Sequence, residues 1–114
     1  MIDTTIDNLS IRRYQPTDHD EIWKLYTLTL DAAGANPGPG PWNADLHDIE
    51  NQYIKNTGDF FVAIIDNKII GMGGLRKKSD HQAEIKRMRV HPDHQKKGIG
   101  QTILNLLEQI AKEL

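Results

Sequence analysis

The chain reads as an α/β protein: a mixed, mainly antiparallel sheet of about four strands, flanked by three helices. Three observations predict this. Phe60 to Ile65 (FFVAII) is an unbroken apolar run of β-formers, as expected of a central strand covered on both faces. Asp66-Asn67 then offers a tight turn, so that Lys68 to Leu75 returns antiparallel to it. From Ile103, apolar residues recur at Leu104, Leu107, Ile110, Ala111 and Leu114, the three-and-four spacing of one helix face. With 114 residues, the whole of 1–114 reads as one domain with a modest core.

Met1 to Asn8 carry no pattern and read as a lead-in. Leu9 to Tyr14 (LSIRRY) is the first strand, with Leu9, Ile11 and Arg13 on one face, and Pro16 ends it. Thr17 or Asp18 caps a helix whose first turn holds Asp20 and Glu21; its stripe is Ile22, Leu25, Tyr26, Thr29 and Ala33, and Gly34 stops it. Three prolines and two glycines make Asn36 to Pro41 a loop. Asn43 or Asp45 caps a second helix through Tyr53, with Leu46, Ile49, Gln52 and Tyr53 on its face, ended by Asn56-Thr57-Gly58. In the hairpin strand, Gly71, Gly73 and Gly74 remove side chains where another group approaches or a bulge forms. Arg76 to His81 turns the chain into a last strand, Ala83 to Val90. Simple alternation places Glu84, Lys86, Met88 and Val90 on one face of it and Ile85, Arg87 and Arg89 on the other. Neither face is cleanly apolar, which implies a distorted strand or one facing a polar site.

Composition excludes several functions. Zero cysteines rules out disulfides and thiolate chemistry, and is compatible with the cytoplasm. No apolar run approaches the roughly 18 residues of a membrane span, and no basic-then-apolar leader is seen. The net charge of −2 argues against nucleic acid as a partner. A basic-faced interaction domain is a competing reading, and the absence of aromatics among the basic residues weighs against it. His81, His91 and His94 lack a metal-site spacing, so no metal is expected; His19 and His47 have no identifiable partners.

The charge is unevenly placed. Of 14 lysines and arginines, eight (Arg76, Lys77, Lys78, Lys86, Arg87, Arg89, Lys96, Lys97) fall between Arg76 and Lys97, against three acidic residues there. They flank the turn Gln95-Lys96-Lys97-Gly98-Ile99-Gly100. Its glycines let main chain approach a ligand just where the unpaired amides and dipole of a helix N-terminus favour an anion. A third glycine, needed for a dinucleotide fingerprint, is missing at Gln101-Thr102-Ile103; a Walker loop would need Lys and Ser or Thr after Gly100.

Strand, Val90-His91-Pro92, basic loop, paired glycines and helix occur in an order that resembles the acyl-CoA-binding motif of the GNAT superfamily of N-acyltransferases. Ala83-Glu84-Ile85 is similar to the strand bearing a catalytic glutamate in that family's histone-acetylating branch. The resemblance reaches back loosely to about Ser10. It implies acetyl-CoA as the cofactor, with Gln95, Lys96, Lys97, Gly98, Ile99, Gly100 and Gln101 holding the pyrophosphate. It further implies a kinked strand whose main chain at Met88, Arg89 and Val90 grips the pantetheine arm. The loop before the second helix, with Trp42, would border the acceptor pocket. Trp42 serves equally well as a packing staple.

The implied activity is transfer of an acetyl group to a primary amine of a small molecule or peptide. An alkylamine is protonated at pH 7, so a base must remove its proton. Glu84 is the candidate, although an ordinary glutamate with pKa about 4.3 is a weak base. The competing reading is a surface glutamate paired with Lys86 or Arg87. A full family member continues past such a helix with a strand, another helix and two more strands. The resemblance therefore covers a form lacking the C-terminal half, with an exposed sheet edge that could pair with a second copy. A non-catalytic acyl-CoA-binding or regulatory module is the alternative to the enzyme.

Overall fold

The computed structural model of the chain describes residues 8–34 and 41–113, with only the backbone given at 41–43. Four strands form one sheet in the order β1-β2-β3-β4, and every pairing is antiparallel. They are β1 (Ser10–Arg13), β2 (Asp59–Ile65), β3 (Lys68–Ser79) and β4 (Gln82–Val90). Helix α1 (His19–Ala32) covers one face and α2 (Ile99–Glu113) the other.

The sheet is buried on both sides because its central strands are apolar on both. On the α1 side, Ile22, Leu25 and Tyr26 meet Leu46, Ile49 and Tyr53 over Phe60, Val62 and Met72. On the α2 side, Ile99, Ile103 and Leu107 cover Ala63, Ile70 and Leu75. Each such residue removed from water contributes roughly 1.5–3 kcal/mol. Two ion pairs pin the N-terminal strand. Arg12 donates to both carboxylate oxygens of buried Asp18 at 2.7 and 2.8 Å, and Arg13 to buried Asp59 at 2.7 Å twice. The Arg12 donors and the Gln15 amide outweigh burial and hold the Asp18 carboxyl below its usual range.

Most predicted elements stand. The β2–β3 turn holds Asp66 and Asn67 at φ 51° and 65°, the left-handed pair that a two-residue hairpin requires. Three expectations need correction. The second helix is not an α-helix: Pro41–His47 winds as a 3₁₀ helix and Glu50–Ile54 as a π-helix, though its stripe Leu46, Ile49 and Tyr53 is buried as read. Arg76 to Ser79 belong to β3 rather than to a turn, because main-chain pairing with Gln82 to Glu84 carries the hairpin on regardless of side-chain polarity. The third correction, to the alternation along β4, shapes the site. The lead-in before Asn8, residues 36–40, the Trp42 side chain and Leu114 lie outside the described residues.

Candidate functional site

Strand β4 carries an extra residue. Gly74 pairs with Lys86 and Met72 with Arg89, so Arg87 and Met88 together oppose Gly73. Arg87 stands at φ 61°, in the left-handed region. This is a β-bulge, and it reverses the parity of the strand. Ile85, Met88 and Val90 pack against the α2 cluster. Arg87 and Arg89 turn to the α1 side, where their guanidinium carbons lie 5.3 and 5.4 Å from the centre of the Tyr26 ring. Gly73 makes room: a Cβ there would sit 2.4 Å from Met88 Sδ and 2.8 Å from Ile103 Cγ2.

Behind the bulge lies a buried polar network. Arg87 donates to Asp45 Oδ1 at 2.6 Å and Oδ2 at 3.0 Å, and to the Tyr26 hydroxyl at 3.0 Å. The Tyr53 hydroxyl donates to the second oxygen of Asp45. The Asp45 and Arg87 side chains are only 10% and 13% exposed, so the pair is largely dry. Burial would raise the Asp45 carboxyl, but the Arg87 and Tyr53 donors more than offset it and hold it below the ordinary carboxylate range. Burial and the adjacent carboxylate push the Tyr53 hydroxyl up, and the Asp45 hydrogen bonds push Arg87 up. Sequence reasoning offered Asp45, or Asn43, as a helix cap and Arg87, or Lys86, as the partner of a surface Glu84, and so missed the network. The one local signal was an acidic residue beside the apolar stripe of Leu46 and Ile49.

The turn after β4 is fixed at both ends. The His91 amide donates to Ile70 O at 2.8 Å, and Gln95 Nε2 donates to Val90 O at 3.0 Å, folding the loop back on the strand. Lys96 and Gly98 take φ of 65° and 84°, so the main chain reverses twice before α2 begins. The Thr102 amide and hydroxyl both donate to Gly98 O, at 3.0 and 2.8 Å, closing the first helical turn. Amides at the start of α2 precede any intrahelical acceptor and face outward with the positive end of the dipole. Lys96 and Lys97 are exposed and have no acidic partner among the described residues. His94, in the same loop, has a buried Nδ1 with no hydrogen-bond partner. These features fit a polyanionic group such as a pyrophosphate.

The predicted site residues divide by how they can act. Ile99 is 1% exposed and can offer only main chain. The Gln101 side chain donates along the helix to Asn105 at 2.8 Å, which also leaves its main chain as the available part. Glu84 opposes Arg76 in the register and pairs with Lys78 at 3.7 Å, rather than with Lys86 or Arg87. It lies upstream of the bulge on the face that carries Lys86, whose partner Gly74 abuts Tyr53 and Phe60. Among the described residues, no three or more His, Asp or Glu side chains gather as metal ligands. His19 and His47 share a hydrogen bond of 2.9 Å, and His47 lies 4.5 Å from the Trp23 ring, tying α1 to the 41–47 segment.

An antiparallel sheet with a bulged edge strand leading into a basic, glycine-bearing helix start defines a class that comparison identifies directly. The family model described as Acetyltransferase (GNAT) family matches residues 19–114, and the chain belongs to this family. An acetyltransferase of the GNAT family from Staphylococcus aureus superposes with a TM-score of 0.85 at 23% identity, over 92% of this chain and 67% of that one. A Streptococcus agalactiae acetyltransferase gives 0.85 at 19%, over 95% and 68%. The PaiA N-acetyltransferase of Thermoplasma acidophilum, solved in complex with coenzyme A, gives 0.72 at 20%, over 92% and 72%. Among sequences, the N-acetylaspartate synthetase of Xenopus tropicalis is 34% identical over 61 residues, 52% of this chain. The match spans only 22% of that relative's length.

Proposed function

We propose that this chain binds acetyl-CoA at the turn from Gln95 to Gln101 and transfers its acetyl group to a primary amine. The observation that carries the reading is the turn itself: left-handed main chain at Lys96 and Gly98, two unpaired lysines, and the open amides of α2. Family membership and relatives solved with acetyl-CoA or coenzyme A support it.

When bound, the cofactor supplies an activated thioester. The chain's own groups do the rest. Lysines and helix-start amides neutralise and orient the phosphates. At the bulge, from Met88 through Val90, β4 is the edge of the sheet among the described residues, and with the Met88 and Val90 carbonyls taken by Arg89 and Gln95 it is main-chain amides that this edge can offer. An amide there donates a hydrogen bond where negative charge develops. Glu84, on the same strand, accepts the proton that an ammonium acceptor must lose before it can attack. The exposed edge of β4 would take a further strand, from a longer chain or from a second copy. No helix of the described residues is long and apolar enough to cross a membrane.

Titration calorimetry with acetyl-CoA tests the cofactor, and thiol release with a panel of amines tests the transfer. Saturable binding that is lost in Gly98→Glu, with thiol release dependent on an amine, is expected. Binding without thiol release would leave a non-catalytic acyl-CoA-binding module. No binding would overturn both readings.

A further inference from the structure

Arg89 has a surplus of unused donors. It is half-buried, its Nη1 donates to Met88 O at 2.8 Å, and its guanidinium lies over the Tyr26 ring. Its neighbour Arg87 is neutralised by Asp45, and Glu84 is engaged by Lys78. Among the described residues no carboxylate forms an ion pair with Arg89 or with Lys86, which lies on the same side of the sheet and shares with Arg87 the field of the single carboxylate Asp45. The α1 side of the bulge therefore holds an excess of positive charge beside the main chain assigned above to the thioester.

Such a setting selects among amines. A simple alkylammonium, a polyamine or a multiply aminated sugar would bring only positive charge to Lys86 and Arg89, and would be repelled. An amine that also carries a carboxylate is drawn in. Among the described residues the Nε–Nη2 edge of Arg89 has no acceptor, and this is the edge that grips a carboxylate through two parallel hydrogen bonds. The ring of Tyr26, itself 4% exposed, holds the guanidinium plane in place. Building on the acetyl-transfer reading, we propose that the acceptor is an amino acid or a similar carboxylate-bearing amine. Arg89 binds that carboxylate and points the amino group toward the bulge.

The test compares matched ligands by calorimetry, with and without saturating coenzyme A: β-alanine and L-aspartate against propylamine and spermidine. The carboxylate-bearing amines are expected to bind at least about tenfold more tightly, as a charge-assisted bidentate contact provides. Arg89→Gln should erase that gap and Arg89→Lys should keep part of it, with thermal unfolding run in parallel to establish that both variants fold. Equal or tighter binding of propylamine, a gap that survives in Arg89→Gln, or no binding of either carboxylate-bearing amine overturns the inference. Absence of thiol release, or of coenzyme A binding, overturns the transfer reading alone, because the amine comparison without cofactor still decides the carboxylate site.

Discussion

Replacing Asp45 by Asn tests the polar network behind the bulge. Arg87 reaches Asp45 at 2.6 and 3.0 Å, and the two side chains are 13% and 10% exposed. At these separations the gross attraction is roughly 6 kcal/mol for an effective dielectric near 20, and desolvation of two charges cancels much of it. Removing one partner is a different matter, because it strips the buried guanidinium of the carboxylate that grips it at two oxygens. That costs about 3–5 kcal/mol, and an amide oxygen that still accepts one hydrogen bond returns about 1 kcal/mol, giving a net loss of about 2–4 kcal/mol. Total stability for such a domain is about 5–15 kcal/mol, so the melting temperature should fall by roughly 8–16 °C. Thermal and urea unfolding followed by tryptophan fluorescence would read it at pH 7. The folded Asp45 carboxyl titrates below its ordinary 3.8. Its contribution is thus complete above that value and is lost as the pH falls through the lower folded value, so the difference between wild type and Asp45→Asn should shrink in acid. The double replacement Asp45→Leu with Arg87→Met should recover at least half of the loss, since neither charge is then stranded. A loss below about 1 kcal/mol, or a difference unchanged by acid, would refute the claim that this pair clamps the segment to β4.

Three further outcomes are expected. Glu84→Gln should lower kcat by roughly 10²–10⁴ with acetyl-CoA affinity unchanged in calorimetry; an unaltered rate removes Glu84 as the base. Lys97→Glu, at an exposed turn position, should weaken coenzyme A binding about tenfold at low salt and by less at high salt, since screening shortens the reach of the charge. A salt-independent affinity would remove the lysines from the cradle. Gly73→Ala should cost about 1–3 kcal/mol, because its Cβ meets both Met88 Sδ and the stiff Ile103 side chain; Met88→Ala should relieve part of that cost in the double variant, as read by urea unfolding.

How much of this was legible in the sequence depended on whether the signal was local. Strand β2 and helix α2 declared themselves because an apolar run and a helical stripe need only neighbouring residues. The turn at Gln95 to Gly100 was legible for the same reason, since glycines and lysines in order mark both its shape and its charge. The second helix kept its buried stripe but not its winding, because Leu46, Ile49 and Tyr53 remain compatible with tight and wide turns alike. The Arg76 to Ser79 extension was hidden because main-chain pairing holds it, and side chains only decorate it. The network was out of reach. Asp45 and Arg87 are 42 residues apart, Tyr26 and Arg87 are 61, and no local pattern pairs residues across such distances.

The bulge joins these two kinds of information. Alternation alone would send Arg87 and Arg89 toward α2, into the cluster of Ile103 and Leu107, where neither charge could be matched. One added residue reverses the strand's parity after Arg87, so that Met88 and Val90 enter that cluster and Arg89 arrives over Tyr26. A left-handed arginine costs on the order of 1–3 kcal/mol, and it persists only where its surroundings over-determine it. Asp45, Tyr26 and the space above Gly73 supply that determination from three separate elements. The strain at Arg87 and the buried pair that holds it are therefore one device. It sets the edge of β4 beside the guanidinium of Arg89, which has no carboxylate partner among the described residues, as the proposed site for a thioester and a carboxylate-bearing amine requires.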